Sequence, residues 1–390
     1  MKYKLGDIVK EIIDYRGKTP KKLGFSWSES GIRAFSAKNI KTGQIVQPES
    51  IRYISEENYP KWMKQEVERG TILITSEAPF GQIFYWNSDE KIVLSQRLFA
   101  IKIKDEFDSE FVYYQMTSDR FQSELKARAT GSTVTGLRQP ELMKCEIDLP
   151  DLKTQKKIVR ILSALDQKIE LNHQQNSTIE KQASALVQKY IYDEKCIAKL
   201  KEIMSFDNGF AFKSKDYVDP GKYKVITIKN VQDGLIDSSS AQFVADYPRD
   251  MRDCHKLSVG DVLLSLTGNV GRVGIVFEKN LLLNQRVAKV KPKDESLLPF
   301  LYFFFRKNDF KQKLEALAKG TAQLNLSPVE TLNEKIAYSE QSAFELSNRL
   351  KPFFEKIILN NQDNKTLSSI RDSLLPKLMS GEINLENMSE

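Results

Sequence analysis

The sequence has few of the residues that support imidazole or thiol chemistry. Its 390 residues include only two histidines, His173 and His255, and three widely separated cysteines, Cys145, Cys196 and Cys254. Zinc sites and Ser-His-Asp centres need an imidazole beside specific partners, and a disulfide framework needs an even set of cysteines. These scarcities argue against a zinc hydrolase, a Ser-His-Asp enzyme and a disulfide-stapled secreted domain.

Long apolar runs are also missing. No window approaches the roughly 18 consecutive apolar residues that a membrane-spanning helix needs. The opening string MKYKLGDIVKEIIDY lacks the apolar core and small-residue cleavage site of a secretory signal. We therefore expect a cytoplasmic protein.

Motifs for nucleotide or methyl-donor chemistry do not occur. There is no GxxxxGK[ST] string, and the glycines of residues 268–274 have the wrong spacing for GxGxxG. An amino-methyltransferase would carry [Asn/Asp]-Pro-Pro-[Tyr/Phe], yet the chain has no Pro-Pro dipeptide. The Glu-Leu-Lys string at 124–126, the nearest match to a nuclease motif, lies on a helical pattern. We predict a chain without an active site and without a metal or cofactor of its own.

A large internal repeat is present instead. Five segments of the first half recur in the second: 4–8 as 199–203, 37–43 as 228–234, 70–74 as 260–264, 94–97 as 283–286, and 130–133 as 319–322. The offset between matching segments changes little along the chain, so the copies differ by small loop changes. Short β-type runs and short helical patterns inside each copy predict two homologous mixed α/β domains.

Each copy ends in a helix with a sustained heptad pattern. The predicted stripes are Leu162, Leu165, Ile169, Asn172, Asn176, Ile179, Ala183, Leu186 and Tyr190, and, at the equivalent positions of the second copy, Leu350, Phe353, Ile357, Asn360, Asn364, Leu367, Arg371, Leu374 and Leu378. Alternating spacings of three and four residues place one stripe on one face, which needs a partner helix. We predict that the two helices pair antiparallel as a coiled coil with pseudo-two-fold symmetry. The first, over about 155–192, would be ~57 Å long.

Four asparagines interrupt these stripes: Asn172, Asn176, Asn360 and Asn364. A buried asparagine in a helical seam costs stability but fixes register when it faces another polar group. We predict a helix-register role for these four residues. The alternative is a loose and hydrated stretch of the seam.

The repeat and the helices together predict the domain organisation. Residues 1–150 and 196–338 form the two α/β domains, and residues 151–195 and 339–390 form the helical spacer regions.

The remaining polar residues favour contact with nucleic acid. The net charge of +7 comes from 59 basic and 52 acidic residues, which indicates one basic face. Arg, Asn and Gln side chains on loops make bidentate contacts with base edges, whereas lysines neutralise phosphates. The predicted DNA-binding residues are Lys21, Lys22, Lys38, Asn39, Gln96, Arg97, Thr130, Ser132, Thr133, Arg138, Lys213, Lys229, Asn230, Asn269, Arg272, Gln285, Arg286, Lys319, Thr321 and Gln323.

Each of these residues also has an ordinary structural interpretation. Loop asparagines and glutamines often cap turns, and an arginine often pairs with a nearby acid. The repeated Gln-Arg pairs at 96–97 and 285–286 are compatible with base recognition or with a shared structural bracket.

Taken as a whole, the chain resembles the specificity (S) subunit of a type I restriction–modification enzyme. The strings that carry the resemblance are KTQKKIV at 153–159, LDQKI at 165–169 and SLLPKLMSGEI at 373–383. The stretches that lead into the two helices depart from the family pattern. PDLKTQ at 150–155 lacks the family's second proline and Glu-Gln, and IAYSEQ at 336–341 lacks the proline altogether.

The resemblance implies a non-catalytic function. Each α/β domain would be a target-recognition domain that binds one half of a bipartite, asymmetric site in double-stranded DNA. The helices would set the half-site spacing and dock two methyltransferase subunits that methylate adenine at N6. Restriction (motor) subunits would join the complex, and the partner subunits would bind S-adenosylmethionine, ATP and Mg²⁺. The rival classes are a catalytic nuclease or methyltransferase and a coiled-coil scaffold without DNA contact.

Overall fold

The computed structural model describes residues 1–130, 136–320, 323–383 and 385. Contacts divide the chain into two units. One unit is Met1–Leu165 with Ser369–Glu390, and the other is Asp166–Ser368. Each unit therefore contains one β-rich module and a segment of each of two long helices.

The first half of the chain begins with short strands and ends in a long helix. Its strands are β1 (Lys2–Lys4), β2 (Val9–Asp14), β3 (Ile32–Phe35), β4 (Ile40–Lys41), β5 (Gln44–Ile45), β6 (Arg52–Ile54), β7 (Thr71–Thr75), β8 (Ile83–Trp86), β9 (Ile92–Leu94), β10 (Leu98–Ile103) and β11 (Glu146–Asp148). Its helices are α1 (Leu5–Ile8), α2 (Tyr59–Trp62), α3 (Ser109–Thr117), α4 (Asp119–Ala127), α5 (Gln139–Leu142) and α6 (Leu152–Asp193).

The second half repeats this order. Its strands are β12 (Ile197–Lys199), β13 (Met204–Asn208), β14 (Tyr217–Val218), β15 (Tyr223–Ile226), β16 (Gly234–Leu235), β17 (Gln242–Val244), β18 (Lys256–Leu257), β19 (Val262–Ser265), β20 (Val273–Ile275), β21 (Leu281–Leu283), β22 (Val287–Pro292) and β23 (Lys335–Ala337). Its helices are α7 (Leu200–Ile203), α8 (Leu298–Phe305), α9 (Asn308–Leu317), α10 (Pro328–Leu332) and α11 (Glu340–Ser380).

The sheets confirm that the two modules share one fold. The order β2-β10-β7-β8 in the first module corresponds to β13-β22-β19-β20 in the second. The order β6-β3-β9 corresponds to β17-β15-β21, and in both cases the last two strands of that set run parallel. The predicted mixed α/β repeat is therefore present in strand order and in strand direction.

The central strand of each module is buried on both faces. In β7 every residue is buried, and successive side chains alternate between two cores: Ile72 and Ile74 pack in one, and Leu73 packs in the other. In β19, Val262 and Leu264 pack in one core and Leu263 in the other. Because strand side chains alternate between faces, a continuous apolar run is what a strand between two cores requires.

The long helices extend slightly beyond the predicted range. Helix α6 has 42 residues, which corresponds to ~63 Å, and it begins at Leu152 and not at residue 155. Helix α11 has 41 residues. Every predicted stripe position of both helices is buried or half-buried. The heptad pattern therefore predicted the packed face of both helices.

Within the second unit, the asparagines of the two helices contact each other reciprocally. Asn172 Nδ2 donates to Asn364 Oδ1 at 2.8 Å, and Asn360 Nδ2 donates to Asn176 Oδ1 at 2.8 Å. The residue number rises along α6 as its partner's number falls along α11, so the pairing is antiparallel. Each contact also maps onto the other when equivalent residues of the two helices are exchanged, which gives the helix pair a local two-fold relation.

Removing one partner of this buried amide pair is expected to cost more than removing both. Asn172→Leu leaves the buried Asn364 Oδ1 without its donor, which should lower the free energy of unfolding by about 1–3 kcal/mol. The double variant Asn172→Leu/Asn364→Leu replaces both amides by apolar groups and should recover that loss. Urea unfolding of the four corners of this cycle measures the effect. A double variant as unstable as the sum of the two single variants would contradict it.

Candidate nucleic-acid interface

In the first module, several predicted residues lie on turns at one edge of the sheets. The turn at 96–97 joins β9 to β10, and the carbonyl of Gln96 accepts from Ala37 N–H at 3.1 Å in the turn that follows β3. On the other side, the carbonyl of Arg97 accepts from Ser76 N–H at 2.9 Å, just beyond β7. The backbone therefore brings together three connections that are far apart in sequence.

An open cleft of about 390 Å³ lies between these turns. Its polar and aromatic lining includes Trp27, Ser36, Lys38, Arg52, Gln96 and Arg97. Three of these side chains, Lys38, Gln96 and Arg97, belong to the predicted set. The cleft combines positive charge, amide donors and an indole ring, which suits contact with a polyanion that carries flat bases.

The guanidinium of Arg97 is already engaged. Its Nε lies 2.9 Å from Glu77 Oε2, and the side chain is half exposed. The Arg97 backbone has a φ of 63°, in the left-handed region that non-glycine residues rarely occupy. The ion pair with Glu77 therefore supports a structural role for Arg97. A guanidinium bound to a carboxylate has fewer free donors for a base.

The second module repeats this arrangement. The turn at 285–286 joins β21 to β22, and Leu266 N–H donates to the carbonyl of Arg286 at 3.2 Å. Gln285 N–H donates to the carbonyl of Phe210 at 2.9 Å. The backbone at Phe210 can approach the 285–286 turn closely because the residue before it is Gly209. A Cβ at that position would overlap the carbonyl oxygen of Asn284.

Arg286 differs from Arg97 in its neighbours. Its Nη1 lies 3.4 Å from Gln323 Oε1, and no carboxylate is within ion-pair distance among the residues that the structure describes. Gln323 belongs to the chain segment that begins at Lys319, whose backbone pairs with Asn325. Arg286, Gln285 and Gln323 are all exposed, so this corner of the second module presents unneutralised polar groups.

Asn39 and Asn230 do not present their amides to solvent. They are only 1% and 2% exposed. Asn39 Oδ1 accepts from the backbone and hydroxyl of Ser36 at 3.1 and 2.9 Å, and Asn230 Oδ1 accepts from the same groups of Thr227 at 2.9 Å each. Both amides close the turn that follows β3 or β15. Their hydrogen-bonding capacity is therefore used inside the fold, and neither amide is presented for contact with DNA.

The other predicted residues fall into three groups. Gln96, Lys38, Lys229, Asn269, Gln285, Thr130, Arg138, Lys21 and Lys213 are exposed. Lys22, Arg272 and Lys319 are engaged locally: Lys22 Nζ donates to the carbonyl of Gly17 at 2.8 Å, Arg272 Nη1 donates to Gln232 Oε1 at 2.9 Å, and Lys319 pairs with Glu330. Ser132, Thr133 and Thr321 lie outside the described residues.

Trp27, Ser36 and Arg52 also line the cleft but are not among the predicted residues. The Arg52 guanidinium lies over the Trp27 ring, 5.3 Å from its centroid. The two residues are distant in sequence and belong to no motif, so their proximity follows only from strand pairing. The ladder that places Arg52 opposite Ala34 is the signal that reveals it.

In the part of the chain that the structure describes, no group of three or more His, Cys, Asp or Glu side chains is arranged to hold a metal ion. No helix among those residues is long and apolar enough to cross a bilayer.

Comparison with known proteins identifies the class to which this fold and these surfaces belong. The chain matches the family model described as "Type I restriction modification DNA specificity domain" twice, over residues 1–181 and 193–368. It therefore belongs to the type I restriction–modification DNA specificity family, and the resemblance seen in its sequence is confirmed.

Individual relatives agree with this assignment. The chain is 27% identical over 369 residues to the MjaIX specificity subunit of Methanocaldococcus jannaschii, which covers 86% of this chain and 83% of that one. It is 23% identical over 433 residues to the HindI specificity subunit of Haemophilus influenzae, covering 88% and 94%. The crystal structure of a type I system S subunit from M. genitalium has the same fold, with a TM-score of 0.56, 17% identity and coverage of 97% and 95%.

The buried Asn39 bracket makes a prediction about stability. Asn39→Ala removes the acceptor of Ser36 and the donor to Ser50 Oγ (2.9 Å), so the free energy of unfolding should fall by about 2–3 kcal/mol. Lys38→Ala, the exposed neighbour on the same turn, is the matched control and should change it by less than about 0.5 kcal/mol. Urea unfolding measures both variants, and equal losses would show that the bracket is not a special stabilising contact.

Proposed function

We propose that this chain is the DNA-sequence-specificity subunit of a type I restriction–modification complex and has no catalytic function itself. Each module, as a target-recognition domain, binds one half of a bipartite site in double-stranded DNA. Because the modules have diverged, the two half-sites differ and the full site is asymmetric.

The observation that carries this proposal is the repeated polar turn. In both modules a Gln-Arg turn lies at the same sheet position, exposed to solvent and beside exposed lysine, glutamine or asparagine side chains. Arginine and glutamine are the side chains that make bidentate contacts with guanine and adenine in the major groove. A coiled-coil scaffold without DNA contact does not require such turns.

The long helices are proposed to set the distance between half-sites. Recognition elements on one face of B-DNA lie about 34 Å apart for each helical turn of separation. A continuous helix of ~63 Å has the reach for such a spacing. The seam asparagines Asn172, Asn176, Asn360 and Asn364 support this role, because interhelical amide contacts oppose a slip in register.

The same helices are proposed to dock two methyltransferase subunits. Leu171 and Leu359 lie at equivalent positions of α6 and α11 and are 47% and 54% exposed. One exposed leucine at the same position of both helices is compatible with two copies of one partner that bind in equivalent ways. S-adenosylmethionine, ATP and Mg²⁺ would belong to the modification and restriction subunits.

Exchange of one module tests the proposal. Residues 1–150 are replaced by the corresponding domain of another family member, and the chain is co-expressed with its methyltransferase subunit. Sequencing of N6-methyladenine in the host genome should show one changed half-site, with the second half-site and the spacer length retained.

The reciprocal exchange of residues 196–338 is the matched control and should change the other half-site. Simultaneous loss of both halves in a stably assembled complex would contradict the two-module mechanism.

A further inference from the structure

One exposed position is equivalent in the two modules. It is occupied by an arginine in the first module and by a glutamine in the second. Arg52 is opposite Ala34 in the ladder between β6 and β3. Gln242 is opposite Val225 in the ladder between β17 and β15. Ala34 precedes the buried Asn39 by the same number of positions as Val225 precedes Asn230. Arg52 and Gln242 therefore occupy the same place in the repeated fold.

The buried asparagines fix this position in both modules. Asn39 Nδ2 donates to Ser50 Oγ at 2.9 Å, and Asn230 Nδ2 donates to Ser240 Oγ at 3.5 Å. Each serine lies two residues before Arg52 or Gln242. A buried amide thus ties the start of the strand to the turn after the neighbouring strand. This bracket holds the backbone of the exposed residue, which is the pre-organisation that specific recognition requires.

Both side chains are available for a ligand. Strand β6, which contains Arg52, is at the edge of its sheet. In β17, the residues that pair with β14 are Phe243 and Val244, so Gln242 lies beyond that ladder. Neither side chain has a hydrogen-bond or ion-pair partner among the described residues, in contrast to Arg97, whose guanidinium pairs with Glu77.

The contact of Arg52 with Trp27 leaves its charge and donors free. A guanidinium over an indole ring is attracted by the ring's quadrupole, which restrains the side chain without neutralising it. A restrained side chain loses less conformational entropy on binding. Arg52 also lines the cleft of the first module together with Lys38 and Gln96, two residues of the predicted DNA-binding set.

We propose that Arg52 and Gln242 are the base-recognising residues of this shared position. Arg52 selects a guanine in one half-site, and Gln242 selects an adenine in the other. Guanidinium offers donors only, which matches the two acceptors O6 and N7 of guanine, whereas a carboxamide matches the donor N6 and acceptor N7 of adenine. This inference rests on the proposed function and goes beyond it by naming the residues and the bases.

Reciprocal substitution tests the assignment. The full chain, assembled with its methyltransferase subunits, is incubated with a library of randomised DNA duplexes, and the bound fraction is sequenced. Arg52→Gln should change one guanine of one half-site to adenine. Gln242→Arg should change one adenine of the other half-site to guanine. Discrimination at the altered position is expected to be on the order of 5- to 150-fold.

Conservative and matched variants separate base recognition from phosphate contact and from folding. Arg52→Lys should keep the guanine preference with weaker binding. Arg33→Gln, on the neighbouring strand and normally paired with Glu90, should leave the motif unchanged. Gln312→Arg adds an exposed charge on α9, away from the shared ladder position in sequence, and should leave every base of the motif unchanged.

The outcomes distinguish this inference from the proposed function. If the wild-type complex selects no bipartite motif, the proposed function fails. If it selects one but Arg52→Gln and Gln242→Arg leave every base unchanged, or weaken all sequences alike, the assignment of Arg52 and Gln242 is overturned while the proposed function stands.

Discussion

The antiparallel pairing of α6 with α11 is the constraint on which the rest of the architecture depends. The two helices carry the same stripe at equivalent positions of the repeat, so an antiparallel pair makes each contact twice with the partners exchanged. The contacts of Asn172 with Asn364 and of Asn176 with Asn360 are such a pair. A buried amide pair in a helical seam disfavours other registers, because a shift would leave the amides without partners. Within this stretch of the second unit, one repeated helix sequence thereby gives the chain two equivalent amide contacts.

The modules combine a shared scaffold with a variable surface. The central strands β7 and β19 are buried on both faces, and the buried amides of Asn39 and Asn230 close corresponding turns. Residues exposed around this scaffold differ between the modules. At the ladder position of Arg52, the second module has Gln242. Arg97 pairs with Glu77, whereas the equivalent Arg286 contacts Gln323. The buried scaffold and the exposed surface thus use different residues, so the exposed side chains can change without loss of the buried contacts.

Much of the fold was predictable from the sequence because its signals are periodic. The heptad stripes identified the packed faces of α6 and α11, and the repeated strings identified two modules of one fold. The site was less predictable, because a loop residue's role depends on neighbours that are distant in sequence. Asn39 and Asn230 have the chemistry of base recognition, yet their amide oxygens accept from Ser36 and Thr227 in the local turn. Their amide nitrogens donate to Ser50 Oγ and to the carbonyl of Asp237, which lie further along the chain. Arg52 has no local signal, and its exposure beside Trp27 follows only from the ladder with β3.

The measurement that most directly tests the account is single-molecule sequencing of methylated adenine in the host genome, with and without the gene for this chain. The account predicts that one bipartite motif, with two different half-sites separated by a fixed unspecified spacer, is methylated only when the chain is present. Deletion of the gene should remove that motif and leave other methylated motifs unchanged. A methylation pattern that does not change on deletion, or a lost motif that is one continuous palindrome, would contradict the account.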